Sequence, residues 1–275
     1  MSRLRQFRRG RLVFDVRDEG PVDGAPVVLL HGFPQDGTSW DRVVPSLHGA
    51  GLRTLVPDQR GYSPGARPLE RAAYRLEWLV ADVLALLDAV GAPRAHLVGH
   101  DWGGGVAWAA AAAHPGRVAS LTALSTPHPR AFLRSMAGST QLLRSWYMGF
   151  FQLPRLPEAV VGPRLEASLR GSGLPAEDAA RYARRMAEPG ALTAGLNWYR
   201  AMPLSRAAFP SAVTVPTTYI WGRDDFALVR RAAELTAEHV EGTYRFVEIP
   251  AGHWLPETEP EELAELIVEQ AGEAA

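Results

Sequence analysis

The chain predicts an α/β fold: a mostly parallel central sheet flanked by helices, interrupted by an inserted helical segment. Three observations lead there. Short β-branched runs alternate with amphipathic helical patterns, as in a parallel sheet covered on both faces. The alternation stops after Leu124 and resumes at Thr217. The stretch between them is broken by prolines and rich in aromatics, so it reads as a separate helical layer. Such an insertion would sit over the carboxyl ends of the strands, where open α/β sheets place their ligands. The expected division is a first core segment at residues 1–127, a helical cap at 128–210 and a second core segment at 211–275.

At 275 residues the chain is long enough for a large core, and 47 % apolar with 21 % charged residues is ordinary for a globular protein. Arg3, Arg5, Arg8, Arg9 and Arg11 give a basic start that reads as a solvated N-terminus. Asp15, Arg17, Asp18 and Glu19 follow in place of an apolar stretch, so no secretory or twin-arginine leader is expected. Val27–Leu30, Arg53–Val56, Ala95–Val98 and Val118–Leu124 read as strands. Glu77–Val90 reads as an amphipathic helix with Trp78, Val80, Val83, Leu84, Leu86, Leu87 and Val90 on its apolar side, stopped by Gly91 and Pro93. Asp101–Ala113 is an Ala-rich packed helix ended by His114-Pro115-Gly116. After the insertion come a strand at Thr217–Trp221, a helix at Leu228–His239, a strand at Tyr244–Ile249 and a helix at Pro260–Gln270.

Net charge is −1, which gives no field that would favour nucleic acid or an anionic membrane. No apolar run approaches the roughly 20 residues that span a bilayer. The chain has no cysteine, which removes disulfides, thiolate metal sites and a thiol nucleophile together. A cytoplasmic location fits this composition.

Two segments compete as nucleophile turns. Gly61-Tyr62-Ser63-Pro64-Gly65 satisfies the G-x-S-x-G string of serine hydrolases. That motif needs a backbone N–H after the serine and a helix beyond it, and Pro64 supplies neither. It reads as a surface turn. Gly99-His100-Asp101-Trp102-Gly103 follows an apolar strand and opens the Ala-rich helix, so strand, sharp turn and helix are all present. Asp101 stands at the nucleophile position, where the helix dipole and free N–H groups favour a charged carboxylate. The alternative is that Asp101 only caps its helix.

Further elements favour chemistry. His31-Gly32-Phe33-Pro34 directly follows the strand Val27–Leu30, where hydrolases with this turn take a second oxyanion donor. The Phe33 and Trp102 backbone N–H groups are therefore the expected pair. Trp221-Gly222-Arg223-Asp224-Asp225 ends a late strand, where a triad acid emerges, and the spacing from Gly222 favours Asp225 over Asp224. His253 alone of eight histidines lies in a loop after the last strand. The order Asp101, Asp225, His253 is that of nucleophile, acid and base. His31 and His100 are expected to be structural, hydrogen-bonded within their turns.

With these residues in place the chain resembles the soluble epoxide hydrolases of the α/β-hydrolase fold, over nearly its whole length from His31 to His253. His31-Gly32-Phe33-Pro34, Pro57-Asp58-Gln59-Arg60-Gly61-Tyr62 and Gly99-His100-Asp101-Trp102-Gly103-Gly104 carry the likeness, and all three are shared with haloalkane and haloacetate dehalogenases. The family usually has glycine where Ser63 stands. Two segments of the insertion discriminate better. Trp146–Pro154 and Leu196–Arg200 resemble the stretches that carry two ring-opening tyrosines, which places those roles on Tyr147 and Tyr199. Met148 departs from a position that is often polar.

The resemblance implies hydrolysis of a small apolar epoxide to a vicinal diol through an alkyl ester on Asp101. Water activated by His253 and Asp225 would cleave the ester, and a detoxifying role would suit the chemistry. No metal or organic cofactor is expected. The expected partners are the epoxide and water, without nucleic acid or membrane, and homodimerisation stays open. A dehalogenase with the same triad is the main alternative, with Trp102 as one halide donor but Phe33 where an asparagine would serve better. An esterase or lactonase, and a non-catalytic ligand-binding protein on the same scaffold, are the others.

Overall fold

The computed structural model describes residues 3–205 and 212–274; the expected boundary at 210 and 211 lies outside the described residues. Eight strands form one sheet: β1 (Gln6–Arg9), β2 (Leu12–Glu19), β3 (Pro26–Leu30), β4 (Arg53–Pro57), β5 (Ala95–His100), β6 (Val118–Leu124), β7 (Thr217–Gly222) and β8 (Tyr244–Ile249). Their order is β1-β2-β4-β3-β5-β6-β7-β8. The β1/β2 and β2/β4 pairs are antiparallel and every other pair is parallel. β4, β5 and β7 are buried along their full length, which is why they read as continuous apolar runs without alternation.

Helices cover both faces. α1 (Val44–Gly49) packs beside the C-terminal helix on one face, where Trp40, Val43 and Leu47 meet Leu263 and Ile267. α2 (Leu76–Val90) and α3 (Trp102–Ala113) pack together on the other. The chain order reverses around β3, which separates β4 from β5, so the loops after β3 and β5 emerge side by side. That is the topological switch point at which α/β sheets bind ligands.

Between β6 and β7 the chain forms seven α-helices among the described residues: α4 (Pro129–Met136), α5 (Gln141–Arg144), α6 (Trp146–Phe150), α7 (Leu156–Val161), α8 (Leu165–Gly171), α9 (Ala176–Met186) and α10 (Ala191–Ala201). The sheet side then continues with α11 (Arg230–Leu235), α12 (Leu255–Thr258) and α13 (Pro260–Glu273). No helix among the described residues is long and apolar enough to cross a membrane.

Four sequence expectations need correction. The basic N-terminus is a β-hairpin: Phe7 and Phe14 stack at 4.7 Å, and Arg9 pairs with Asp82 at 2.9 Å. Arg3, Arg5, Arg8 and Arg11 are solvated as expected, but Arg8 and Arg9 stand opposite Val13 and Leu12 in the hairpin, and the run of charge masked the strand. Trp78 does not join the apolar face of α2; it is 39 % exposed, with the Arg9 and Arg75 guanidinium groups 5.1 and 5.5 Å from its ring. The Ser63 turn reaches the surface only at Pro64 and Gly65: Ser63 itself is buried, its Oγ donating to the Asp58 carbonyl and accepting from the Asp15 N–H of the hairpin. The helix expected from Leu228 begins at Arg230 and changes to 3-10 geometry at Thr236–His239. Its expected first turn is diverted: the Ala227 and Leu228 N–H groups point at Asp225 Oδ1.

The crossing of α3 over the end of β3 depends on Gly103. A Cβ there would collide with the carbonyl oxygens of Leu30 and His31, which are backbone atoms and cannot swing aside. Gly103→Ala is therefore expected to destabilise the fold by about 1–3 kcal/mol, the range for an overpacked core. The check is the urea midpoint at constant m-value; an unchanged midpoint would show that the crossing has slack.

Candidate active site

Asp101 stands between β5 and α3 at φ 50° and ψ −122°, a conformation that costs a non-glycine residue of order 1–3 kcal/mol. Its backbone is held there from both sides. The N–H donates to the Leu124 carbonyl, while the carbonyl accepts from Gly105 N–H at 3.1 Å and from Thr126 Oγ1 at 2.7 Å. The side chain makes no capping hydrogen bond to α3. It turns across the switch point, and Oδ1 accepts from the Phe33 N–H at 2.8 Å. Gly32 makes room for this, since a Cβ there would strike the Asp101 carboxyl.

His253 follows β8 and Asp225 follows β7. Asp225 is buried, and its Oδ2 meets His253 Nδ1 at 2.8 Å, while its Oδ1 holds the two amides of residues 227 and 228. A carboxylate at Nδ1 fixes the proton on that nitrogen and leaves the Nε2 lone pair facing Asp101 Oδ2, 3.8 Å away. Asp224 is exposed. Phe226 and Trp254 flank the imidazole at 5.2 and 5.1 Å between ring centres.

Enclosure sets the electrostatics. Burial pushes Asp101 above the ordinary carboxylate range. His253 and the Phe33 and Trp102 N–H groups oppose this. Burial lowers His253, but Asp225, Asp101 and Glu257 together outweigh it, and the imidazole ends above the usual histidine range.

Tyr147, at the start of α6, and Tyr199, in α10, line the same cavity as Asp101, Trp102 and His253. Their rings are 6.0 Å apart, and Tyr199 packs edge-on against Trp102 at 5.0 Å. Burial is the first cause of a raised pKa in both phenols, and the Asp101 charge is the second. Leu76, Leu79, Phe132, Met148 and Leu228 make the remaining walls largely apolar.

Several positioning groups escaped the sequence reading. Arg200, beside Tyr199, donates to the Phe151 and Leu153 carbonyls and pairs with Glu158 at 2.7 Å, while Gln152 Nε2 donates to the Tyr199 carbonyl. These contacts tie the segment carrying Tyr147 to the helix carrying Tyr199. Gln35 and Glu257 lie buried behind the triad. Arg200 and Gln152 lie within the two insertion segments Leu196–Arg200 and Trp146–Pro154, which was the legible signal. His31 and His100 engage both ring nitrogens in buried contacts, His31 with Gly32 and Gln59, His100 with Gln35 and the His253 carbonyl. Among the described residues no group of three or more His, Cys, Asp and Glu side chains is placed to hold a metal ion.

Comparison with known proteins agrees with this architecture. A family model described as the alpha/beta hydrolase fold matches residues 25–260. The chain is 37 % identical to the AB hydrolase superfamily protein YfhM of Bacillus subtilis, over 94 % of each chain. It is 35 % identical to Epoxide hydrolase A of Mycobacterium tuberculosis, over 91 % of this chain and 92 % of that one. The crystal structure of Epoxide Hydrolase A from Mycobacterium thermoresistibile superposes with a TM-score of 0.84 at 28 % identity, covering 97 % of both chains. Matched along most of its length in sequence and in fold, the chain belongs to the α/β-hydrolase fold family, among relatives named as epoxide hydrolases.

Proposed function

We propose that this protein is an epoxide hydrolase, a hydrolase acting on ether bonds, which converts a small apolar epoxide to a vicinal diol with residues 128–210 as the cap. One observation carries the reading: two phenols and a carboxylate line a single apolar cavity, with a carboxylate-bound histidine beside that carboxylate. Ring opening needs a nucleophile on carbon and a proton donor at oxygen, and this cavity offers both. The names of the relatives support the same chemistry.

In the first step Asp101 Oδ2, the oxygen not held by Phe33, bonds to an epoxide carbon as the ring C–O bond breaks. The released electron pair passes to the epoxide oxygen, which hydrogen-bonds both tyrosines and takes a proton from one of them. Because the Asp101 charge helps to keep both phenols protonated at rest, its loss on ester formation makes them stronger acids when the alkoxide needs a proton.

In the second step His253 Nε2 takes a proton from a water that attacks the ester carbon. The tetrahedral oxyanion develops on Oδ1, between the Phe33 and Trp102 N–H groups. Collapse breaks the bond from the carbon to Oδ2, and the imidazolium proton goes to the departing diol. The proton left on the Asp101 carboxyl returns to the tyrosinate through solvent. No metal or organic cofactor enters these steps.

The decisive experiment is a single turnover in oxygen-18 water. The first diol should carry unlabelled oxygen from Asp101, and full label in that product would mean direct attack by water instead. Asp101→Ala should lower diol formation by about 10⁴-fold or more, the scale for losing a nucleophile. His253→Ala should stall at the ester, visible as a covalent mass increment. Halide release from haloalkanes or haloacetate without diol from epoxides would move the assignment to a dehalogenase.

The tyrosines are tested separately. Tyr147→Phe and Tyr199→Phe should each lower the rate of ester formation on the order of 10²-fold. Ester hydrolysis should be little changed, and equal loss in both steps would reduce the phenols to packing groups. The pH profile follows from His253, which must be neutral to accept a proton. With Asp101 alkylated, Asp225 and Glu257 still raise its pKa against burial, and they push the acid limb of ester hydrolysis toward higher pH. Asp225→Asn, which removes the largest of the contributions that raise it, should move the limb down while lowering the rate.

A further inference from the structure

Gln35 is completely buried and joins parts of the site that are distant in sequence. Its Oε1 accepts from the Gly32 N–H at 2.8 Å, in the loop that presents Phe33, and meets His100 Nδ1 at 2.8 Å. Its Nε2 donates to Glu257 Oε1 at 2.7 Å. The same carboxyl oxygen accepts from the Tyr182 hydroxyl of α9 at 2.7 Å. His100 Nε2 meets the backbone carbonyl of His253 at 2.8 Å, and Ser125 Oγ donates to that carbonyl at 3.0 Å. A chain of close contacts therefore runs from Glu257 through Gln35 and His100 to the backbone of the proposed base; burial keeps His100 neutral, so its single N–H serves one of the two oxygens it meets, and Ser125 donates to the His253 carbonyl in any case.

The donor inventory shows why Glu257 matters to this path. The Gly32 N–H can only donate, so it fixes the Gln35 carboxamide with its oxygen toward Gly32. Gln35 Nε2 must then find an acceptor on the opposite side, and Glu257 supplies it. An apolar residue at 257 would leave two buried donors, Gln35 Nε2–H and Tyr182 O–H, without that acceptor. The carboxamide would then be free to rotate, and the contact that places His100 under the His253 carbonyl would loosen.

We propose that Glu257 is a positioning residue: acting through Gln35 and His100, it fixes the His253 backbone and the oxyanion loop against each other. The proposal rests on the roles given above to His253 and Phe33. A carboxamide at 257 could satisfy the same two donors, so the acid brings something more. Its charge is one of three carboxylate charges that raise His253. Tyr182 and Asp178 face Glu257 from α9, where Arg181 and Arg42 pair with Asp178; Arg42 also donates to the Glu257 carbonyl, and His253 faces it from the loop before α12. Burial pushes the Glu257 carboxyl up to about 7, and its Oε2 has no hydrogen-bond partner among the described residues.

The test compares Glu257→Leu with Glu257→Gln in the full chain, following ester formation and ester hydrolysis by stopped flow with a terminal aryl epoxide. Glu257→Leu should slow hydrolysis on the order of 10-fold to 100-fold, the scale for a displaced catalytic group. Glu257→Gln should recover most of that rate, with its acid limb moved to lower pH because a charge that raised His253 is gone. A wild-type rate and profile in Glu257→Leu would overturn the proposal. Equal impairment in both variants with an unmoved limb would also overturn it, making the site mere packing. Should Glu257→Leu fail to fold, the limb of Glu257→Gln decides alone. If the wild-type protein makes no diol, the catalytic reading itself fails. Nitrogen-15 resonances of the His100 ring then judge the relay: they should differ from wild type in Glu257→Leu but not in Glu257→Gln, and identical resonances in all three would sink it.

Discussion

Asp101 is held in a left-handed backbone conformation that its side chain disfavours, and the surrounding architecture is arranged so that this conformation survives. The strain is of the order of the energy of one or two hydrogen bonds. Three hydrogen bonds to its backbone oppose it, from the β6 backbone, from the Thr126 hydroxyl and from within α3. They hold only because β6 lies directly beside β5 in register, with Leu124 opposite His100. The turn also needs α3 to pass close over the end of β3, which Gly103 permits. Once the turn is made, its side chain can reach only across the switch point, toward Phe33 N–H. Sheet order, helix crossing and oxyanion loop are thus consequences of a single strained residue and conditions for it.

The same enclosure that orients the carboxylate makes its charge costly, and the surrounding groups answer that cost in sequence. At rest Asp101 is opposed by burial and by Asp225, and supported by His253 and two N–H groups. Alkylation would remove its negative charge altogether. In the proposed cycle both tyrosines then lose part of what keeps them weak acids, and His253 loses one of the carboxylates that raise it. Donor strength at the epoxide oxygen and proton release from the imidazole would both follow the charge of one residue. A neutral nucleophile such as serine would not couple the three groups in this way.

Much of this was legible in the sequence because the responsible patterns are local. The buried strands of the sheet are short and apolar without interruption, and strand, glycine-rich turn and Ala-rich helix are contiguous around Asp101. The segments carrying Asp225 and His253 were legible for the same reason, each lying at the end of its own strand. What escaped was non-local or disguised. Arg8 and Arg9 pair with Val13 and Leu12 across a hairpin supported by Phe7 on Phe14 and by Asp82, more than 70 positions from Arg9. Gln35 and Glu257 are separated by 222 positions, and neither belongs to a motif, so only the fold reveals that one orients the other. Trp78 shows a third kind of failure: periodicity assigned it to the core, but two guanidinium groups offered its ring faces a partner at the surface.

The layer above the sheet is tied down by polar contacts as well as by apolar packing, and the distribution of the polar contacts has a physical meaning. Arg185 of α9 reaches Asp58 and the Tyr62 carbonyl, Arg67 pairs with Glu188, and Trp198 of α10 donates to the Arg60 carbonyl. Each of these lands on the segment after β4, one strand removed from the switch point. The insertion also carries exposed Leu142, Leu143 and Trp146. Partly exposed ion pairs contribute little energy individually, but they fix direction where apolar surfaces can slide. In the proposed cycle the phenol of Tyr199 must meet an epoxide oxygen within hydrogen-bonding tolerance, which demands direction above all. The helix that carries it is anchored by Trp198 immediately before it and by Arg200 immediately after it. The two anchors bracket the phenol on the chain, and its orientation toward Asp101 follows from them.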